Sequence, residues 1–67
     1  MNKNKEIEEH DVVKATTDIV LFGYKLVSKD DEGTVVHIYP NNEDYEVEFP
    51  KIGGTLTVNK SEIQIKN

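Results

Sequence analysis

The sequence predicts a small all-β domain, a barrel or a sandwich, and three observations support this. Short stretches rich in β-branched residues recur, turn-forming residues separate them, and no run of ten residues has a helical pattern. A chain of 67 residues has room for one domain, because small chains bury only about 60% of their unfolded-chain surface. The chain has no cysteine, so an apolar core without disulfides must hold the fold.

The first half of the chain contains one predicted strand and a long connection. We expect a flexible, disordered tail at 1–9, because this polar opening lacks a complete apolar stripe. The domain then occupies residues 10–67. The β-branched run at 11–16 predicts the first strand. Residues 17–32 mix apolar side chains with a polar end, which we interpret as a half-buried excursion that closes in a turn.

A hairpin in the middle of the chain is the strongest local signal. Residues 33–39 predict one strand, Pro-Asn-Asn at 40–42 predicts a turn, and residues 44–49 predict the partner strand. Apolar and acidic residues alternate without a fault over 44–49, so Tyr45, Val47 and Phe49 point toward the core. The acids between them therefore point to solvent.

The register of this hairpin follows from a four-residue loop. The opposite pairs that it predicts are Ile38 with Tyr45, Val36 with Val47, and His37 with Glu46. The first two pairs would face the core and the third would face solvent. Val35 would then point outward, unless a bulge after Gly33 turns it inward.

Two short strands at 55–58 and 63–65 bring the predicted number to five. Pro50 ends the strand before them because proline cannot donate a hydrogen bond to a ladder. The glycine pair at 53–54 allows a sharp reversal. Residues 59–62 are too few for a normal helix and suit a single 3₁₀ turn.

Two motifs in this pattern are specific enough to compare with known families. They are Gly-Thr-Val-Val-x-x-Tyr-Pro at 33–40 and Tyr-x-Val-Glu-Phe at 45–49. Over residues 10–66 the chain resembles a family of short bacterial proteins of unknown function. The resemblance implies a five-stranded SH3-like barrel, similar to KOW-type domains and to small accessory subunits of electron-transport and nitrile-hydratase enzymes. Family members carry a glycine and an apolar residue where this chain has Asp30 and Glu32, and aspartate tolerates the left-handed conformation of such a turn.

The charge balance indicates which partners to expect. Eight lysines, no arginine and thirteen acids give a net charge of -5. Nucleic-acid-binding proteins neutralise phosphates with Lys and Arg, so a nucleic-acid partner is not expected. An acidic surface favours a basic protein surface as partner. A nucleic-acid-binding KOW-like barrel stays an alternative if lysines cluster in space, and the candidates are Lys14, Lys25, Lys29 and Lys60.

No motif in the sequence indicates catalysis, a metal or a cofactor. Ser28 and Ser61 lie in turn-like sequence, without the oriented base that a nucleophile needs. His10 and His37 lack the spacing of a structural zinc site. The acids at 30–32 lack the alternating oxygen ligands of a calcium loop. We therefore predict a non-enzyme with no metal and no cofactor.

The sequence also contains no feature that indicates membrane association. No stretch approaches the roughly 18 apolar residues of a membrane span, and the first residues lack the apolar core of a secretory signal. We therefore expect no membrane association and a cytoplasmic location. The sequence leaves open whether the protein is a monomer or a homodimer.

The predicted function is that of a non-catalytic interaction or accessory module, including the inhibitor and immunity types. Four acids on the central hairpin would attract a basic protein surface, and two tyrosines that do not alternate into the core would supply contact area. The predicted partner-binding residues are Tyr24, Tyr39, Glu43, Asp44, Glu46 and Glu48. A homo-oligomeric structural protein is a further alternative.

Overall fold

A computed structural model describes residues 6–66, and over this range the protein is all-β, as the sequence predicts. Seven strands form two sheets within these residues. The strands are β1 (Val12–Ala15), β2 (Ile19–Leu21), β3 (Tyr24–Val27), β4 (Glu32–Ile38), β5 (Asp44–Phe49), β6 (Gly54–Asn59) and β7 (Ile63–Ile65). Two 3₁₀ turns cover Pro50–Ile52 and Lys60–Glu62.

The larger sheet contains the five strands that the sequence predicts. Its order is β6-β5-β4-β1-β7, and every neighbouring pair is antiparallel. β5 and β6 each follow their neighbour directly in the chain, whereas β1 lies between β4 and β7. The first and last strands of the domain are therefore hydrogen-bonded side by side.

The excursion at 17–32 differs from the expectation. It contains β2 and β3, which pair as a two-stranded antiparallel hairpin around Phe22 and Gly23. Among the described residues, neither strand pairs with the five-stranded sheet. Val27 is buried at the base of the hairpin, whereas the side chains near its turn are exposed. Residues 19–22 are continuously apolar, so no alternation of apolar and polar residues marks β2 in the sequence.

One apolar cluster forms the core of the described structure. The buried residues are Val13, Ala15, Val27, Val35, Tyr45, Val47, Phe49, Val58 and Ile63. Tyr45, Val47 and Phe49 point inward from β5, as predicted, and the acids between them point outward. Residues 1–5 of the expected tail lie outside the described residues. Ile7 is half-buried and packs against the core.

The central hairpin has the predicted loop, with one correction in β4. Ile38 pairs with Tyr45 and His37 with Glu46, as predicted. The predicted pairing of Val36 with Val47 is wrong, because Val35 takes that place. The register shifts between Val35 and His37, so Val36 is the extra residue of a bulge. Val35 is fully buried and Val36 is 41% exposed.

The turns have the predicted conformations. Asp30 and Asn42 have φ angles of 77° and 57°, in the left-handed region that Asp and Asn tolerate. The predicted 3₁₀ turn before the last strand is present at Lys60–Glu62. The Asn59 side chain accepts a hydrogen bond from the backbone N–H of Ser61, and Glu62 accepts one from the backbone N–H of Asn59.

Candidate functional site

The outer face of β4, β5 and β6 carries a polar network centred on Glu46. Glu46 lies opposite His37 of β4 on one side and opposite Thr57 of β6 on the other. Because side chains alternate between the faces of a strand, these three side chains share the outer face of the sheet. Thr55 is two residues from Thr57 and shares this face.

Both carboxylate oxygens of Glu46 accept hydrogen bonds from hydroxyl groups. Oε1 accepts from Thr57 Oγ1 at 2.6 Å and from the Tyr39 hydroxyl at 2.9 Å. Oε2 accepts from Thr55 Oγ1 at 2.7 Å. The bonds from Thr57, Thr55 and Tyr39 lower the pKa of Glu46 below its usual value, with His37 adding to the effect, because they favour the charged carboxylate.

Contacts with both its ring and its hydroxyl hold the Tyr39 side chain in place. The ring meets the imidazole of His37 edge to face, with centroids 4.7 Å apart and planes at 87°. Its hydroxyl donates to Glu46. The Tyr39 side chain is half-buried and is therefore held in place before any partner arrives.

Asp44 holds the loop of this hairpin. Its Oδ2 accepts from Asn41 Nδ2 at 3.0 Å, and its Oδ1 accepts from Asn59 Nδ2 at 3.4 Å. The Asn41 side chain in turn accepts from the backbone N–H groups of Glu43 and Asp44. The turn is therefore held by side chains of the loop together with one side chain from β6.

Five of the six lysines in residues 6–66 pair with acids away from this hairpin. The ion pairs are Lys14–Asp30 at 4.0 Å, Lys25–Asp18 at 3.8 Å, Lys29–Asp30 at 3.7 Å, Lys51–Asp31 at 3.0 Å and Lys66–Glu32 at 3.2 Å. Over residues 6–66, none of these pairs involves the four hairpin acids. The charge of the hairpin is therefore not neutralised by a lysine of the described chain.

Five of the six predicted partner-binding residues lie on one hairpin, and the sixth lies outside it. Tyr39, Glu43, Asp44, Glu46 and Glu48 lie on the β4–β5 hairpin. Glu43 and Glu48 are exposed, whereas Asp44 and Glu46 are half-buried and hydrogen-bonded. Tyr24, at the start of β3, belongs to the other sheet.

The exposed turn of the β2–β3 hairpin was not predicted. Phe22 lies there with its side chain almost fully exposed, next to the exposed Leu21 and Tyr24. The sequence interpretation placed this stretch in a half-buried excursion. The available signal was Gly23, because glycine is favoured at the second position of a two-residue hairpin turn.

The described residues contain little that could hold a cofactor. Between residues 6 and 66, no group of three or more His, Cys, Asp or Glu side chains is placed to bind a metal ion. A shallow recess of about 220 Å³ is lined by Val12, Glu32, Gly33, Thr34 and Pro50. Its carboxylate, on Glu32, pairs with Lys66. No helix in this part of the chain is long and apolar enough to cross a membrane.

The Glu46 network makes stability depend on pH. The folded-state pKa of Glu46 lies below its ordinary value of 4.5, which applies to the unfolded chain. The carboxylate therefore contributes its full stabilisation above pH 4.5 and loses it as pH falls through the folded-state pKa. The pKa of Asp31 is lowered by a bond from the Ser28 backbone N–H and by Lys51, so Asp31 acts in the same direction. Comparing a Glu46 variant with wild type separates the contribution of Glu46 from that of Asp31.

We expect Glu46→Gln to lower the free energy of unfolding by about 1–2 kcal/mol at pH 7, because the amide accepts fewer and weaker hydrogen bonds. The difference from wild type should shrink as pH falls below 4.5, because the unfolded chain then binds a proton at Glu46 before the folded protein does. Urea unfolding at pH 7 and pH 3 measures both differences. A difference that is as large at pH 3 as at pH 7 contradicts the role of the charge.

Comparisons with known proteins bear on identity at the level of a family. No curated protein matches the chain, and no solved structure does. Residues 9–64 match the family described as a domain of unknown function, DUF4926. This span includes the β4–β5 hairpin and both sheets almost to the end of β7. Because the match covers most of the chain, the protein belongs to the DUF4926 family of domains of unknown function.

Proposed function

We propose that this chain is a non-catalytic protein-interaction module that binds a basic protein surface through the β4–β5 hairpin. The observation that carries the proposal is the segregation of charge. Five lysines of residues 6–66 pair with acids elsewhere. Glu43 and Glu48 are exposed, and within that range neither forms an ion pair. Exposed charges without a partner raise association rates with a surface of opposite sign.

Different residues of the hairpin have different roles in this proposal. Glu43 and Glu48 attract the partner at long range. Asp44 and Glu46 hold the loop and the outer face in one conformation, which lowers the entropy lost on binding. Tyr39 supplies an ordered aromatic surface, and aromatic residues contribute disproportionately to interface energies.

An SH3-like barrel is part of this proposal. The buried residues of all five strands of the larger sheet lie on one face, and together with Val27 they form a single cluster. A flat sheet would expose such a face, so curling of the sheet around the cluster accounts for its burial. The pairing of β1 with β7 joins the ends of the domain, and a 3₁₀ turn precedes β7. Such a barrel suits an accessory subunit or an inhibitor or immunity protein of bacterial origin.

The nucleic-acid-binding alternative has less support. Of the four candidate lysines, Lys14 and Lys29 are ion-paired with Asp30, and Lys25 is paired with Asp18. Lys60 forms no ion pair with a described residue. A phosphate backbone would have to displace each of these aspartates and approach an acidic chain.

The test uses two double variants that change the net charge equally. Glu43→Gln/Glu48→Gln removes the two exposed hairpin acids, and Asp30→Asn/Glu32→Gln removes two acids that already pair with lysines. Asparagine tolerates the positive φ of Asp30. The immobilised wild-type chain is first used to capture proteins from a lysate of the source cells at low salt. The captured protein is then purified and its association rate measured.

We expect the hairpin variant to associate about tenfold more slowly than wild type at low salt, because long-range attraction raises association rates. The control variant should differ much less, and the difference between the two should vanish at high salt. If association slowed equally in both variants, the net charge of the chain would explain the effect and the position of the hairpin acids would not matter. An unchanged rate in the hairpin variant would contradict the proposal, as would capture of nucleic acid in place of a protein.

A further inference from the structure

The turn of the β2–β3 hairpin exposes a continuous apolar segment. We call residues 20–24 the hairpin tip. Phe22 is 89% exposed and Tyr24 is 73% exposed, and they are flanked by Val20 at 57% and Leu21 at 47%. Single exposed apolar residues are common on protein surfaces, whereas several adjacent ones are more typical of interaction sites.

The backbone of the turn makes Phe22 an unusual choice. Leu21 pairs with Tyr24, so Phe22 and Gly23 form a two-residue loop with φ angles of 52° and 82°. Two positive φ angles are the condition of a type I′ turn, in which Asn-Gly is favoured at these positions. A bulky residue is disfavoured in this region. The turn would therefore form more readily with asparagine than with Phe22, and what phenylalanine adds is an exposed ring.

The base of the hairpin is fixed, so the tip is presented in a defined place. Val27 is fully buried in the core, and Ile19 and Leu26 pack against it. Asp18 accepts a hydrogen bond from the backbone N–H of Lys29 at 2.8 Å. Asp18 also pairs with Lys25, so the charges nearest the tip cancel. The tip itself carries no charge.

We propose that the hairpin tip inserts Phe22 into an apolar pocket of a protein partner, and that lysines and arginines surround this pocket. The basic rim rests on the proposed function. The groups nearest the tip are neutral as a pair, but the chain as a whole has a net charge of -5 and five described lysines are already ion-paired. A partner that also contacts the domain around the hairpin therefore meets an acidic protein. A basic rim complements this charge. A second copy of the chain, or an anionic bilayer, would bring like charge to the same surface.

The first experiment identifies what contacts Phe22. In the full chain Phe22 is replaced by the photoreactive residue p-benzoylphenylalanine, and the protein is irradiated in a lysate of the source cells. The matched control carries the same residue in place of Gln64, an exposed position on β7. We expect one dominant protein adduct at position 22 that is absent at position 64. The crosslinked peptide should contain apolar residues, with Lys or Arg nearby.

The second experiment measures affinity for the purified protein from that adduct. Phe22→Asn removes the ring and introduces the favoured Asn-Gly turn, so it should melt at or a few degrees above the wild-type temperature. We expect Phe22→Asn to bind about 30-fold more weakly, as loss of a central aromatic contact does. Loss of affinity without loss of stability separates an interface role from a structural one.

The outcomes distinguish this inference from the proposed function. Suppose that Phe22→Asn binds as tightly as wild type while Glu43→Gln/Glu48→Gln is slow to associate. Insertion of Phe22 into a pocket is then wrong, and the proposed role of the β4–β5 hairpin acids is supported. If only Phe22→Asn weakens binding, the proposed role of the β4–β5 hairpin acids is wrong. Insertion of Phe22 into an apolar pocket is then supported, but the basic residues around that pocket are not. An adduct between two copies, an adduct with lipid, or no specific adduct at position 22 would overturn the inference.

Discussion

Gly33→Ala is expected to remove most of the stability of this domain. Gly33 is buried in β4, and a Cβ atom placed there would lie 2.7 Å from the Glu48 carbonyl oxygen and 2.7 Å from Val47 Cγ1. It would also lie 2.9 Å from Phe49 Cδ1. Val47 and Phe49 are fully buried and cannot move toward solvent. The contact with the Glu48 carbonyl oxygen is with backbone, so the β4–β5 pairing itself must shift.

Gly33→Ala changes the free energy of unfolding in two opposite ways, and their sizes decide whether the domain gains or loses stability. Alanine restricts the unfolded chain more than glycine does, which stabilises by about 0.4–1 kcal/mol. Overpacking of a filled core costs about 1–3 kcal/mol, and more where backbone must move. A core in a chain of this size supplies only about 3–5 kcal/mol in total. The steric cost therefore exceeds the entropic gain and approaches the whole stability of the fold.

Gly54→Ala is the matched control for this prediction. Gly54 lies at the start of β6, and a Cβ atom there would meet nothing within 4 Å. Its substitution should leave stability nearly unchanged or raise it slightly. Urea unfolding followed by circular dichroism compares the two variants with wild type. Equal urea midpoints for Gly33→Ala and Gly54→Ala would contradict the close packing around Gly33.

The five strands of the larger sheet could be predicted because their signals are local. Alternation over 44–49 and the turn residues on either side depend on neighbours in the chain. The position of the bulge in β4 cannot be predicted from neighbouring residues in the chain. Val35 and Val36 are equivalent in a pattern of period two, and Val35 faces the core because β4 is also held by β1, through the pairing of Val13 with Gly33. The correct register thus depends on a strand twenty residues away.

The candidate site was predictable in part for the same reason. The outward direction of Glu46 and Glu48 follows from alternation. The bonds that Glu46 accepts from Thr55 and Thr57 require the β5–β6 register, which depends on the connection through Pro50–Ile52 and Gly53. The exposure of Phe22 was missed because an apolar residue in a short apolar run is usually buried.

Phe49→Ala is expected to leave most molecules unfolded at 25 °C. Phe49 lies at the end of β5 with no exposed surface, packed toward Gly33 and paired in register with Gly54. Replacing a buried phenylalanine with alanine costs about 3–5 kcal/mol through lost burial and the cavity that is left. This cost equals the estimated stability of a core of this size. Thermal unfolding followed by circular dichroism measures the effect.

Two further variants keep the prediction testable if Phe49→Ala does not fold at all. Phe49→Leu retains most of the apolar volume and should fold with a smaller loss than Phe49→Ala, since both a smaller cavity and less lost burial lower the cost. Val36→Ala removes a side chain from the exposed bulge of the same hairpin and should cost well under 1 kcal/mol. The order Val36→Ala, Phe49→Leu, Phe49→Ala in increasing destabilisation follows from burial alone. If Phe49→Ala melted within a few degrees of wild type, or if Val36→Ala were the more damaging change, the inward face of β5 would be assigned incorrectly.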